Sequence, residues 1–169
     1  ALAVDTLAHG RFDIAAARPE RMTLIAFYRG MHCPICITQL KELERLVPDF
    51  AARGVELIAI SSDDQDRARQ MAERAGVSAL RLGYGLDLAT ARAWGLYISA
   101  GRGTTSIGIE EPALFSEPGL FLVRADGTLY FASVQTMPFV RPHFKEMVGA
   151  LDFVKAKDYP ARGEYTGAV

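Results

Sequence analysis

The sequence predicts an α/β fold in which helices cover both faces of a central mixed sheet. Two near-continuous apolar runs, residues 22–28 and 55–61, are typical of strands that are covered on both faces. Apolar residues recur at helical spacing between these runs, which predicts a parallel strand–helix–strand unit with a right-handed connection. A hairpin pattern near residue 126 adds antiparallel strands, which makes the sheet mixed. With helices on both faces of this sheet, the predicted architecture has three layers.

An N-terminal β-hairpin is predicted around His9-Gly10, a turn signal that residues 4–7 and 12–14 flank with short apolar patterns. The helix between the two long strands has one apolar stripe, with charged residues on its other faces. This stripe consists of Ile37, Leu40, Leu43 and Val47.

A second helix follows the second long strand. Asp63 or Asp64 provides its N-terminal cap, and Gly76 closes it. Residues 80–82 are a short strand candidate, and Asp87 begins a further short helix.

Residues 98–117 are rich in Gly, Ser and Thr, and they predict a stretch of about 20 residues without regular structure. Such a stretch is either a functional loop or a tolerated surface insertion, and the sequence favours neither. The last helix is expected to contain Pro142 in its first turn. We expect one domain over residues 1–169, with residues 156–169 as a polar tail.

The composition argues against several classes of function. The chain has 169 residues, half of them hydrophobic, and 19 basic and 20 acidic residues give a net charge of −1. Such a balance provides no positive field for a nucleic acid or an anionic membrane. We find neither a secretory signal nor the roughly 18 apolar residues of a membrane helix, so the expected location is cytoplasmic. Two cysteines are too few for the disulfide framework of a small secreted protein.

The two cysteines form the motif Cys33-Pro34-Ile35-Cys36, at the predicted junction between the first long strand and the helix. A thiol at a helix N-terminus faces unpaired N–H groups and the positive end of the helix dipole, which favours its thiolate. Pro34 suits the first turn, and the spacing places both sulfurs on one side of the helix. The motif therefore predicts attack by a Cys33 thiolate, followed by formation of an intramolecular disulfide with Cys36.

Other interpretations of the motif are half of a zinc site or two inert core cysteines. A closed zinc site needs four ligands, and the chain offers no second cysteine pair and only three scattered histidines, so we expect no metal site. We also expect no cofactor. Arg29 and His32 precede the pair, and either could place positive charge near the Cys33 sulfur. The alternatives are a surface salt bridge for Arg29 and an exposed loop position for His32.

Residues 27–36 (FYRGMHCPIC), followed by a helix and by residues 57–61 (LIAIS), resemble the thioredoxin superfamily. More closely, they resemble peroxiredoxin-like proteins of the alkyl hydroperoxide reductase/thiol-specific antioxidant family. Residues 117–127 are similar to that family's strand after a cis-proline, with its Asp-Gly turn, and residues 134–151 to the segment that carries its active-site arginine. The resemblance covers roughly residues 4–155 and implies a thioredoxin-like fold.

The resemblance also implies roles for individual residues. Cys33 is the attacking, peroxidatic cysteine and Cys36 the resolving cysteine. Arg141 is the guanidinium that stabilises the thiolate and the peroxide oxygens, because paired donors suit a developing oxyanion. Pro118 is the cis-proline that faces the disulfide.

Gly30, His32 and Pro118 are the expected substrate-binding positions around the cysteines. Gly30 departs from the family pattern, which has a Thr or Ser hydroxyl at this position, and Ala26 stands where the family has a Pro. The missing hydroxyl gives weight to an alternative function, because the CPxC pattern is also similar to glutaredoxin and disulfide-oxidase motifs.

The resemblance implies an antioxidant enzyme of cell redox homeostasis. It would reduce hydroperoxides with electrons from a thioredoxin- or glutaredoxin-type reductant. The alternative is a thioredoxin-like protein disulfide oxidoreductase without peroxidase activity. A third hypothesis is a non-catalytic binding module. Families with this fold use sheet edges or loop faces for dimers, so a homodimer is compatible with the sequence.

Overall fold

The computed structural model describes residues 1–169, and its centre is a seven-stranded mixed sheet. The elements in chain order are β1 (Ala3–Thr6), β2 (Arg11–Asp13), β3 (Met22–Phe27), α1 (Pro34–Ala51), β4 (Val55–Ile60), α2 (Gln65–Ala75), β5 (Arg81–Tyr84), α3 (Leu88–Ala93), β6 (Ile98–Ala100), β7 (Leu114–Ser116), β8 (Gly119–Arg124), β9 (Leu129–Val134) and α4 (Phe144–Lys157).

The strand order of the sheet is β2-β1-β5-β4-β3-β8-β9. Strand β4 runs parallel to both β3 and β5, as the connections through α1 and α2 predict. The N-terminal hairpin and the β8–β9 hairpin add antiparallel strands at the two edges. The predicted mixed sheet with an N-terminal β-hairpin is therefore confirmed.

Strand β3 shows why the central strands are apolar along their whole length. Leu24 and Ala26 belong to a core that also includes buried residues of α1, α2 and α4. Ile25 and Phe27, which alternate with them, belong to a second core on the opposite face, beside α3. Helices thus cover both faces of the sheet, and the carboxyl end of β3 leads directly to the cysteine motif.

Residues 98–117 are ordered, and the prediction of a structureless stretch is wrong. We call these residues the arm. Strands β6 and β7 pair antiparallel within it, with Ile98 opposite Ser116, and Thr104 forms a bridge to Glu110 near its tip. Strands of three residues are too short to show a hydrophobic alternation, and their partners lie more than a dozen residues apart. The sequence pattern therefore could not reveal the pairing.

One prediction about the C-terminal region also needs correction. Pro142 lies outside the last helix, because His143 is the cap and α4 begins at Phe144. The helix continues to Lys157. No helix in the structure has both the length and the apolar character needed to cross a membrane.

Candidate active site

The cysteine motif lies at the β3–α1 junction that the sequence predicts. Cys33 is the N-cap of α1, and Pro34 is the first residue of the helix. The Cys33 Sγ accepts a hydrogen bond from the backbone N–H of Cys36 at 3.2 Å, so the sulfur faces the free donors of the first turn. Both thiols are free and buried, with 2% of Cys33 and 0% of Cys36 exposed.

The two thiols have opposite acidities. The pKa of Cys33 is lowered to about 6, chiefly by a hydrogen bond with the Cys36 side chain, while burial acts against this and the positive charge of Arg141 adds to it. The pKa of Cys36 is raised well above its ordinary value, because the thiol is buried and the adjacent Cys33 thiolate disfavours a second negative charge. At neutral pH the site therefore pairs a thiolate at Cys33 with a thiol at Cys36.

Arg141 reaches both sulfurs from the loop between β9 and α4. Its Nη2 lies 3.5 Å from the Cys33 Sγ and 3.3 Å from the Cys36 Sγ. Its Nε donates to the carbonyl oxygen of Pro138 at 2.8 Å, and its Nη1 donates to the Oε1 of Gln39 on α1. The two oxygen atoms that accept hydrogen bonds from Arg141, the Pro138 carbonyl and the Gln39 Oε1, are both uncharged. The full guanidinium charge is therefore available to the sulfurs and to any oxyanion that forms beside them.

Arg29 lies in the loop between β3 and α1, and the arm covers it. Its guanidinium lies 4.8 Å from the centroid of the Phe115 ring. Its Nε lies 3.0 Å from the Oε2 of Glu117, an ion pair without a well-aligned hydrogen bond, and its Nη2 lies 3.5 Å from the Oε1 of Glu111. The surface salt bridge considered above is thus a nearly buried one, with 16% of the Arg29 side chain exposed.

His32 occupies a different environment from either one that the sequence suggested. It is fully buried instead of exposed, and its ring packs edge-on against Phe115 at a centroid distance of 4.6 Å. Neither ring nitrogen has a hydrogen-bond partner, and burial together with the charge of Arg29 lowers the pKa of His32 to about 4. The ring is therefore neutral at physiological pH and supplies no positive charge to Cys33.

Gly30 makes room for a buried carboxyl group. Its φ of +141° favours glycine, and a Cβ at this position would lie 2.8 Å from the Oδ1 of Asp63. The Oδ2 of Asp63 accepts the backbone N–H of Met31 at 2.7 Å, and burial raises the pKa of Asp63 to about 6. The helix cap is provided by Asp64, which accepts from the N–H of Arg67.

Pro118 follows a trans peptide bond, since the chain has no cis peptide, and the prediction of a cis-proline is wrong. A trans bond is the default even for proline, and sequence alone does not reveal the exceptions. Pro118 is buried and lines a narrow crevice of about 20 Å³ together with Gln39 and Arg141. It thus lies next to the guanidinium that contacts the two sulfurs.

The structure brings Cys33, Cys36 and Arg141 together, and it places Arg29 against the arm. Gln39, Asp63 and Glu117 also lie at the site, although the sequence did not predict a site role for them. Gln39 stands one helical turn after Cys36, a spacing that could have placed it on the site face of α1. Asp63 was assigned only as a helix cap, and no pattern distinguished Glu117. No group of three or more His, Cys, Asp or Glu side chains is placed to hold a metal ion.

The fold and the site agree with comparisons with known proteins. The AhpC/TSA family model matches residues 2–132. Similar solved structures include a cysteine mutant of peroxiredoxin 6 from Arenicola marina, with 16% identity, a TM-score of 0.71, and coverage of 99% of this chain and 77% of that one. Peroxiredoxin Q from Xanthomonas campestris has 21% identity, a TM-score of 0.68 and 90% coverage of each chain. AhpC from Enterococcus faecalis has 15% identity, a TM-score of 0.70, and coverage of 99% and 94%.

No curated protein matches the sequence. The structural similarities, all at low identity, support a peroxiredoxin-type fold, whereas the family match covers most of the chain, including the cysteine motif and the arm. The chain therefore belongs to the AhpC/TSA family and is a thiol oxidoreductase.

Proposed function

We propose that the protein reduces hydroperoxides, with Cys33 as the attacking and Cys36 as the resolving cysteine. The observation that carries this proposal is the position of the Arg141 Nη2, within 3.5 Å of both sulfurs. A guanidinium there stabilises the attacking thiolate, and it can also donate to the oxygen that leaves when the O–O bond breaks. The lowered pKa of Cys33, about 6, favours its thiolate at neutral pH.

The reaction proceeds in two steps within the protein. The Cys33 thiolate attacks the terminal oxygen of the hydroperoxide, the O–O bond breaks, and the alkoxide takes a proton to leave as an alcohol. The product at Cys33 is a sulfenic acid. The Cys36 sulfur then attacks the Cys33 Sγ, the S–O bond breaks, and hydroxide leaves as water with the Cys36 proton. A thioredoxin- or glutaredoxin-type dithiol would return two electrons by disulfide exchange.

The burial of Cys33 favours a small substrate. With 2% of the residue exposed, its sulfur can react with a folded protein only after the loops around it move, and this also holds for the return of electrons from a dithiol protein. A hydroperoxide is small enough to need much less movement. The cycle also requires a reducing compartment, which fits the cytoplasmic location expected from the sequence.

Disulfide oxidoreductase activity is the second candidate, and Gly30 favours it. The family hydroxyl is absent at this position, and the space in front of the glycine is filled by the carboxyl group of Asp63. The first step of this reaction would be attack by the same Cys33 thiolate on a sulfur of the substrate disulfide. The two candidates therefore share one nucleophile and differ in substrate.

The test compares the oxidation of reduced protein by stoichiometric hydrogen peroxide, by cumene hydroperoxide and by oxidised glutathione. Mass spectrometry identifies the products, and rapid mixing gives the rates. We expect a peroxide to oxidise Cys33 at least about 100-fold faster than it oxidises free cysteine, as removal of a single oxyanion donor changes rates by this order. A rate no faster than that of free cysteine, with rapid reaction of glutathione disulfide, would favour the second candidate.

Two matched variants assign the cysteines. Cys33→Ser is expected to abolish reaction with peroxide, whereas Cys36→Ser should leave a sulfenic acid at Cys33 that dimedone traps. Dimedone labelling of Cys36 in the Cys33→Ser protein would show that the roles are reversed.

A further inference from the structure

The Arg29 guanidinium is shared between the arm and the cysteine site. On the arm side it contacts Phe115, Glu117 and Glu111. Arg29 also lies four residues before Cys33, near enough for the negative charge of the Cys33 sulfur to raise the pKa of the guanidinium. Burial acts to lower the pKa of Arg29, but the negative charges of Glu117 and Cys33 raise it above its ordinary value. A carboxylate and a thiolate therefore compete for one cation.

Glu117 is held in place more firmly than a surface carboxylate would be. Its side chain is 6% exposed, and its Oε1 accepts a hydrogen bond from the hydroxyl group of Ser99 at 2.7 Å. Its backbone N–H donates to the carbonyl of Tyr97 at 2.7 Å, which fixes it at the base of the β6–β7 pair. The Oε2 then has Arg29 as its cation at 3.0 Å. The paired strands thus determine where this negative charge lies.

Resting on the cysteine roles proposed above, we propose that Glu117 is a positioning residue that holds Arg29 beside Cys33 and limits how strongly Arg29 stabilises the Cys33 thiolate. The physical reason is that a carboxylate 3.0 Å from the guanidinium opposes the positive field that the thiolate would otherwise experience. The same negative charge also acts directly against a second negative charge at Cys33. Both effects have the same sign.

Other charged or titratable groups around Cys33 define the background for this effect. They are Arg141 from the β9–α4 loop, Cys36 from α1, His32 from the loop before α1, Asp63 from the β4–α2 loop, and Glu111 from the arm. Only Glu117 and Glu111 make an ion pair with Arg29. Neutralising Glu117 therefore alters this one balance and leaves the contacts of Arg141 in place.

The test is Glu117→Gln, which keeps the shape of the side chain and its ability to accept from Ser99 while removing the charge. The thiolate of Cys33 is titrated by its ultraviolet absorbance and by the pH dependence of its alkylation, in the reduced protein. We expect the thiolate fraction at about pH 5 to rise about three- to tenfold, as the titration midpoint moves to lower pH. The disulfide should become correspondingly more oxidising against glutathione, because its reduced form is stabilised.

The matched control is Glu110→Gln, on the same arm, whose exposed side chain makes no ion pair with Arg29. We expect its titration to equal that of the wild type. In an Arg29→Gln background, Glu117→Gln should shift the titration much less than it does in the wild type, because the shared cation is gone. A shift of equal size in both backgrounds would show that Glu117 acts without Arg29, which contradicts the positioning role.

An unchanged or higher midpoint in Glu117→Gln would overturn the proposal. If that variant does not fold, Glu111→Gln removes the weaker partner at 3.5 Å and should shift the titration in the same direction by a smaller amount. No shift in Glu111→Gln would then contradict the proposal. These titrations need no peroxide, so they can succeed even if the proposed peroxidase activity fails.

Discussion

The two arginines beside the cysteines differ in their partners. Arg141 contacts a backbone carbonyl, the amide of Gln39 and the two sulfurs, whereas Arg29 lies between two carboxylates and an aromatic ring. A guanidinium with neutral partners retains its charge for a thiolate, but a carboxylate neutralises most of that charge. We therefore expect Arg141 to stabilise the Cys33 thiolate more strongly than Arg29 does, and Arg29 mainly to connect the arm to the site.

Removing Arg141 should have the largest effect. We expect Arg141→Gln to slow oxidation of Cys33 by peroxide about 100-fold, since both the thiolate and the departing oxygen lose a charged donor. The pKa of Cys33 should rise from about 6 toward its ordinary value. Rapid mixing with peroxide over a range of pH measures both quantities. Arg141→Lys should recover part of the pKa shift but little of the rate, because lysine lacks the planar pair of donors.

Giving Arg141 a carboxylate partner would make it resemble Arg29. In Gln39→Glu, a negative charge replaces the neutral oxygen that accepts from the Arg141 Nη1. We expect the pKa of Cys33 to rise and the peroxide rate at about pH 6 to fall about tenfold, because the guanidinium is then shared. Gln39→Met is the control for loss of the amide alone. If Gln39→Met and Gln39→Glu have equal effects, loss of the Gln39 amide, and not the added negative charge, explains the result.

Removing Arg29 should have a smaller effect on rate than removing Arg141. We expect Arg29→Gln to slow peroxide oxidation only a fewfold, because Glu117 and Glu111 already offset its charge. The arm should loosen, since it loses the cation that contacts Phe115 and both carboxylates, and limited proteolysis within residues 98–117 measures this. If Arg29→Gln slows peroxide oxidation as much as Arg141→Gln does, the carboxylates do not offset the charge of Arg29.

Asp63 tests what happens to a buried carboxyl group that lacks an arginine ion pair. Its pKa, about 6, is raised above the ordinary value of 3.8, mainly by burial. The folded state therefore loses stability as the pH rises from about 4 through about 6. Relative to Asp63→Asn, we expect the wild type to lose about 2–3 kcal/mol of unfolding free energy over this range. Denaturant titrations at about pH 4 and pH 8 measure the free energy of unfolding. If wild type and Asp63→Asn differ by the same amount at both pH values, the pKa of Asp63 is not raised by folding.

The local features of the site could be predicted from the sequence. The apolar runs, the helix stripe and the position of Cys33-Pro34-Ile35-Cys36 all depend on residues close together in the chain, and the structure has them as expected. The resemblance identified Arg141, although it lies 108 positions from Cys33, and the structure places it against both sulfurs. It also implied a cis bond at Pro118, which the structure does not have.

The remaining features depend on contacts between distant segments. His32 and Asp63 have no local pattern that predicts burial, since the covering residues come from the arm and from the loop before α1. The partners of Arg29 lie about 80 positions further along the chain and are brought to it by two three-residue strands. The pairing of these strands depends on residues far apart in the chain, so a pattern within a short window of sequence cannot predict it.

The sequence by itself thus determined the position of the cysteine proposed as the nucleophile, its helix N-terminus and the family of the chain, because strand, cap and cysteine spacing are local properties. Only the tertiary structure decided which charges act on that nucleophile. Electrostatic fields depend on distance through space and on burial rather than on separation along the chain. Arg141 and Arg29 are both candidates in the sequence. They differ in the charge they offer to the thiolate because Arg141 contacts the neutral Gln39, whereas Arg29 contacts the carboxylate of Glu117.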